Sequence, residues 1–157
     1  MADLRKASLL LFVLLVACSR MSELTPRALD EAQDRWVASR TSNYRMVIET
    51  TSDRMEPSRY EITVRGKDIV KLERNGSPLQ PEAGGSSYSV EGLFHTMDQE
   101  IDLKANPQRL GAPPGYASYP MATFDPTTGR LLHFQRSVGG TKNSLEIKVT
   151  AFEVLNP

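Results

Sequence analysis

The groups in this chain best suited to chemistry are few: two histidines, His95 and His133, and a single cysteine, Cys18. A metal site needs three or four ligands gathered together. Neither histidine has a second histidine at helical spacing or a cluster of acids beside it. On a helix, His95 falls at the edge of an apolar stripe, next to Phe94. On a strand, His133 falls opposite Phe134. Both are expected to be packed or solvated side chains, with no metal bound. The chain carries no Gly-x-Ser-x-Gly elbow and no Gly-x4-Gly-Lys-Ser/Thr phosphate loop. Gly139-Gly140-Thr141-Lys142 lacks the first glycine and a following helix, so it reads as a hairpin turn. Asp125 invites a reading as a general base. Its setting, Asp125-Pro126-Thr127-Thr128-Gly129, reads more simply as a turn in which the carboxylate accepts from nearby backbone. No cofactor motif is present, and no catalytic residue is expected from the sequence.

The cysteine stands apart because of where it sits. Arg5 and Lys6 precede Ala7 to Val16, a run without charge, and Leu15-Val16-Ala17-Cys18 follows. The run is about half the ~20 apolar residues a membrane-spanning helix needs. It has the length of the apolar region of a secretory signal, about 7–15 residues. Leu15-x-Ala17-Cys18 resembles the lipobox of bacterial lipoproteins. That resemblance implies acylation of the Cys18 thiol, cleavage before it, and a mature chain beginning at Cys18. It also implies that Ser19, in place of Asp, sends the protein to the periplasmic face of the outer membrane in a Gram-negative host. Acylation removes the liability of a lone thiol in an oxidising compartment and leaves no thiol for disulfides or catalysis. Two other readings are an ordinary cleaved secretory signal ending at Ala17, and a cytosolic protein begun at Met21.

The chain has 157 residues, with 19 basic and 19 acidic side chains. Asp3, Arg5 and Lys6 lie ahead of Cys18, so from Cys18 onward the net charge is −1. That balance gives no reason to expect nucleic acid or anionic lipid as a partner. Expected divisions are a signal peptide over 1–17, a lipidated Cys and tether over 18–24, and one domain over 25–157.

Periodicity predicts the elements that must position any site. Thr25 caps and Pro26 starts a helix to about Ser39, with Ala28, Ala32 and Trp36 spaced by four; Trp36 is expected to anchor it on a sheet. Tyr44, Met46 and Ile48, then Tyr60, Ile62 and Val64, alternate with polar residues as half-buried strands do. Met55 to Ser58 reads as their connection. Ile69 to Arg74 follows, with Val70 and Leu72 inward, and Asn75-Gly76 turns the chain. Ser89 caps a second helix whose apolar stripe is Val90, Leu93, Phe94, Met97 and Ile101. Asp98, Gln99, Glu100 and Asp102 take the other side, and Leu103 to Gly115 reads as loop. Tyr116 to Phe124 is a strand whose Pro120 marks an edge or bulge. In Arg130 to Ser137, Leu132 and Phe134 share one face, Leu131 and His133 the other. Ser144 to Leu155 closes the chain. The fold class is α+β: an antiparallel sheet of about six strands in two meanders, two helices on one face, order α-β-β-β-α-β-β-β.

Trp36 with Asn43-Tyr44-Arg45, Thr63-Val64-Arg65-Gly66-Lys67 before Ile69-Val70, Tyr88-Ser89-Val90-Glu91-Gly92-Leu93-Phe94, and Phe124-Asp125-Pro126 with Gly129 together resemble a bacterial family of exported domains of unknown function. The resemblance spans most of the chain after Cys18. It implies the domain boundaries and an exported setting, and it transfers no activity.

Two surfaces are candidates for partners. Arg45, Arg59 and Arg65 lie on outward strand positions with Glu49 and Glu61 among them, which reads as a cross-strand charge lattice or a binding face. The loop from Pro107 to Pro120 carries Pro113, Pro114, Tyr116 and Tyr119, a setting for recognition or for covering a sheet edge. The leading expectation is a non-catalytic, membrane-anchored domain that binds an envelope protein or other envelope component. Alternatives are a hydrolase with loop-borne acid and base in a deep pocket, and an inhibitor or chaperone-like lipoprotein with a protruding loop.

Overall fold

The computed structural model describes residues 20–80 and 88–156. Cys18 and the signal segment therefore lie outside the described residues. Ten principal elements follow in order: β1 (Ser22–Glu23), α1 (Pro26–Ser39), β2 (Asn43–Ser52), β3 (Met55–Arg65), β4 (Asp68–Arg74), β5 (Ser77–Pro78), α2 (Val90–Ala105), β6 (Ser118–Phe124), β7 (Leu131–Val138) and β8 (Leu145–Val154). A single 3₁₀ turn, Pro107–Leu110, follows α2. The strands form one antiparallel sheet in the order β1-β6-β7-β8-β2-β3-β4-β5. Each meander keeps its own sequence order, and β8 pairs with β2 to join them.

The sheet has eight strands among the described residues, against the six expected. The extra two, β1 and β5, are two residues each and sit at opposite edges. Two residues are too short to show a period of two, so no alternation could reveal them. Ser22 and Glu23 belong to the segment expected to be a tether; they pair with Ala122 and Met121. On its outer side β6 meets only the two-residue β1, which pairs no further than Met121, and the Pro120 carbonyl accepts from the Leu24 N–H.

Both helix starts form as their residues dictate. The Thr25 hydroxyl accepts from the Ala28 N–H at 3.2 Å, and the Ser89 hydroxyl accepts from the Gly92 N–H at 3.0 Å. Each satisfies a donor that the first helical turn leaves open. Leu29, Ala32 and Trp36 are the buried line of α1. Trp36 stands edge-on to Tyr44 and Phe152, which stack on one another at 5.3 Å. Its indole N–H donates to Glu91 Oε1 at 2.7 Å. The Tyr44 hydroxyl accepts from the Val90 N–H at 3.0 Å, tying the start of α2 to β2. Both helices and the inward residues of β2, β3, β4, β6, β7 and β8 share one core, so the helices cover a single face of the sheet.

Register shifts rewrite two of the sequence expectations. Between Thr63 and Val64 the β3–β4 ladder shifts, pairing Val64 with Ile69 and Thr63 with Lys71. Val70 is skipped and left 58 % exposed, while Ile69 packs against the core with Leu72. The β6–β7 ladder shifts likewise, pairing Phe124 with Leu131 and Thr123 with His133. Leu132 is skipped, so Leu131 joins Phe134 in the core where Leu132 was expected. A bulge adds one residue and so exchanges the faces on either side of it. The segment Met55–Ser58 is strand rather than connection, and the β2–β3 ladder already closes at Ser52 and Met55. Helix α2 also runs on to Ala105, past the expected loop start at Leu103.

One glycine is dictated by the packing. Gly129 has φ +77°, and a Cβ there would meet the carbonyl oxygen of Ala32 and stand 2.9 Å from Cβ of Arg35. The Asp125–Gly129 turn thus presses directly on the backbone of α1.

Candidate functional site

The Pro- and Tyr-rich segment after α2 is built as a rigid corner. Gly111, with φ +86°, ends the 3₁₀ turn by donating to Gln108, and the Ala112 N–H donates to the Pro107 carbonyl. Leu110, Ala112 and Val138, with Leu103, form a small second core beneath the segment. The Tyr116 N–H donates to the Pro113 carbonyl, and the Gly139 N–H to that of Ala117. A Cβ at Gly139 would stand 2.8 Å from the Tyr116 ring, and one at Gly140 2.8 Å from Pro113. The two glycines of the β7–β8 hairpin therefore give the tyrosine and the proline their seats. Tyr116 is left 53 % exposed and Tyr119, on β6 opposite Ser137, 57 % exposed. Prolines and short local hydrogen bonds reduce the ordering cost such a surface incurs on binding, and exposed tyrosine is the residue type that recurs at binding hot spots.

A buried polar chain holds the corner to the core. Arg136 on β7 donates through Nη1 to Glu100 Oε1 on α2 at 2.6 Å. Its Nη2 donates to Asn143 Oδ1 at 2.9 Å, and Asn143 Nδ2 donates to the Leu110 carbonyl at 2.7 Å. Glu100 is 4 % exposed and Arg136 7 %. Burial pushes the Glu100 carboxyl pKa up, against the opposing pull of Arg136. Sequence reading placed Glu100 on the polar side of α2. Its spacing of three from Met97 instead continues the line Val90, Leu93, Phe94, Met97. That spacing was the available signal; the burial of Glu100 beside Ile101, which packs against the core as expected, depended on Arg136 arriving from β7.

The arginines Arg45, Arg59 and Arg65 lie on the sheet face away from the helices. Arg45 donates to Glu61 Oε2 at 2.9 Å, and Arg59 ion-pairs with Glu61 Oε1. Arg59 and then Arg45 hold the Glu61 carboxyl below its usual range. Arg65 donates to the Asn156 carbonyl. Across the sheet, His133 Nε2 lies 2.8 Å from Glu146, which Lys148 also reaches at 2.8 Å. Opposite charges interleave across the strands, and this face is a lattice of internal pairs.

The remaining candidates are placed singly. His95 lies near Gln99 at 3.1 Å, on a different element from His133. Among the described residues no group of three His, Cys, Asp or Glu could hold a metal ion. Asp125 Oδ1 accepts from the Thr127 and Thr128 N–H groups at 2.9 and 2.7 Å, and Oδ2 meets Arg130 at 3.3 Å. Burial raises its pKa, but the two backbone donors and Arg130 prevail, and the carboxyl titrates below its ordinary range. It is the turn the sequence indicated.

Hollows among the described residues open on the helix side. One of about 460 Å³ separates α1 from α2 and is lined by Asp30, Trp36, Val37, Glu91, His95 and Asp98 among others. A second, of about 480 Å³, runs along α2 past Asp102 to Arg109. A third, of about 340 Å³, lies between α1 and β6 and includes Arg20 and Arg35. The carboxyls with displaced titration, Asp53, Glu61, Glu100, Asp125 and Glu146, line none of the three. Among the described residues no helix is long and apolar enough to cross a membrane. No protein-family model matches the chain, and no curated protein matches it.

Proposed function

We propose that this chain is exported, acylated on Cys18, and serves as a non-catalytic binding domain of the cell envelope whose contact surface is the Tyr116–Tyr119 corner. The observation that carries the reading is the preorganised exposure of those two tyrosines on glycine and proline seats, tied inward through Asn143, Arg136 and Glu100. The sequence around Cys18 supplies the anchor, and two or more acyl chains hold stably where one is marginal. The direction of β1 supports a useful geometry. Ser22 pairs with Ala122 and Glu23 with Met121, so the chain reaches the sheet from the Phe124 end of β6. Tyr119 lies three residues the other way along the strand, about 10 Å beyond Ala122. Acylation at Cys18 would then put the membrane on the side of β6 opposite the corner. The partner is an envelope protein on the periplasmic side, in a Gram-negative host at the outer membrane.

The test places a photo-crosslinking amino acid at Tyr116, at Tyr119 and, as a control, at exposed Val70 on the far meander. The expected result is one envelope protein captured from both tyrosine positions and not from Val70. Equal capture at all three positions, or none, refutes the assignment. Intact mass of the mature protein tests the anchor separately: an unmodified Cys18 overturns it.

A further inference from the structure

We propose that the hollow between α1 and β6 is a seat for the phosphate of a membrane lipid headgroup, with Arg20 and Arg35 as its anion-binding residues. The inference rests on the lipid-anchor reading for its source of ligand, and on the geometry of the hollow for its chemistry. Arg20 and Arg35 line the same space of about 340 Å³, and Ser22 and Thr123 also belong to its wall. Neither guanidinium has a hydrogen-bond or ion-pair partner among the described residues. They differ in this from Arg27, Arg45, Arg59, Arg130 and Arg136, each of which meets a carboxylate. Arg35 Nε and Thr123 Oγ1 are enclosed without an acceptor or donor. The one carboxylate on the wall, Glu31, is engaged by Arg27 at 2.9 Å.

Charge supports the same occupant. The first turn of α1 carries no acidic residue, so no carboxylate there offsets its positive end. The guanidinium fork matches phosphate oxygens in pairs.

Position selects the lipid over a soluble anion. Arg20 is two residues past Cys18, so its backbone lies within about 7 Å of the acylated residue. An acylated cysteine sits at the depth of neighbouring headgroups, which brings lipid phosphates to Arg20. Engaging one would fix the domain's orientation and hold the Phe124 end of β6 against the membrane.

The test uses the full chain in uncharged maltoside micelles and follows the side-chain Nε–H resonance of Arg35. Three ligands are titrated: short-chain phosphatidylglycerol, inorganic phosphate, and an alkyl carboxylate of similar chain length. The expected result is a saturable shift with phosphatidylglycerol and a much weaker response to the other two. Followed by resonances of Ser22 and Thr123, Arg20→Gln and Arg35→Gln should each weaken the lipid affinity roughly fivefold, and Arg40→Gln, on the same helix outside the hollow, should not. Trp36 emission reports that each variant is folded, and Arg35→Lys retains charge if Arg35→Gln unfolds. No lipid shift, equal response to the carboxylate, a response to inorganic phosphate alone, or variants that bind like the parent overturns the proposal. The micelle experiment does not need acylation. An unmodified Cys18 would therefore defeat the anchor and leave the pocket result standing.

Discussion

Replacing Arg136 by methionine would strip Glu100 of its ion-pair partner in a place where water does not reach. The two side chains are 8 % and 5 % exposed and meet at 2.6 Å. Glu100 Oε2 and Arg136 Nε make no hydrogen bond, so this is a single contact and not a fork. Such a pair repays its desolvation incompletely, and its net stabilisation is small. Breaking it is another matter, because the remaining charge is buried alone; removal of one partner costs about 3–5 kcal/mol. Asn143 loses its donor in the same step. Against a total stability of roughly 5–15 kcal/mol, Arg136→Met should lower the melting temperature by about 10 °C or more. Urea melts followed by Trp36 emission measure it. Burial already raises the Glu100 pKa in the parent, and loss of Arg136 raises it further. The penalty should therefore be largest at neutral pH and shrink in acid as the carboxyl takes up a proton. Adding Glu100→Leu should recover most of the loss, since apolar replacements of buried pairs are near neutral or stabilising. A single variant costing under about 1 kcal/mol, or a double variant no better than the single, would refute the assignment of a buried ion pair.

Other outcomes follow from contacts elsewhere. Gly129→Ala should cost about 3 kcal/mol or more, because the residue has φ +77° and its Cβ would strike the Ala32 carbonyl; thermal melts decide it. Tyr44→Phe should cost about 1–3 kcal/mol by leaving the buried Val90 N–H without its acceptor, seen as faster amide exchange at the start of α2. Asp125→Ala should cost about 1–2 kcal/mol at neutral pH by freeing the Thr127 and Thr128 N–H groups. The native Asp125 pKa lies below its unfolded value, so the charge-dependent part of its stabilisation is present above the ordinary carboxylate range. That part is lost as pH falls through the native value, and the gap between parent and variant in urea melts should narrow there.

Much of the architecture was legible in local sequence. Thr25-Pro26 and Ser89 fixed both helix starts, since capping is settled by a few neighbouring atoms. The alternation in β2 and β3 placed Tyr44, Met46, Ile48, Tyr60, Ile62 and Val64 inward, and all six are buried. Val70 and Leu132 fell on the wrong face because a bulge is chosen jointly by two strands, and one strand's pattern cannot contain it. The tyrosine corner was visible as a composition, prolines beside Tyr116 and Tyr119. Its rigidity was not, because the seats are Gly139 and Gly140 on a later hairpin.

The sequence by itself determined the α+β class, the turn at Asp125 and the scarcity of histidine and cysteine, and it carries the Leu15-Val16-Ala17-Cys18 pattern on which the proposed anchor rests. These depend on residue type and near neighbours along the chain. Tertiary structure decided which charges are paired and which are left over. Glu61 draws in Arg45 and Arg59, and Glu100 is buried because Arg136 crosses from β7. Arg20 and Arg35 line one hollow, and Glu31 in its wall pairs with Arg27. Charge pairing falls off over a few ångströms through space, and residues far apart in the chain become neighbours only when the sheet closes β8 onto β2.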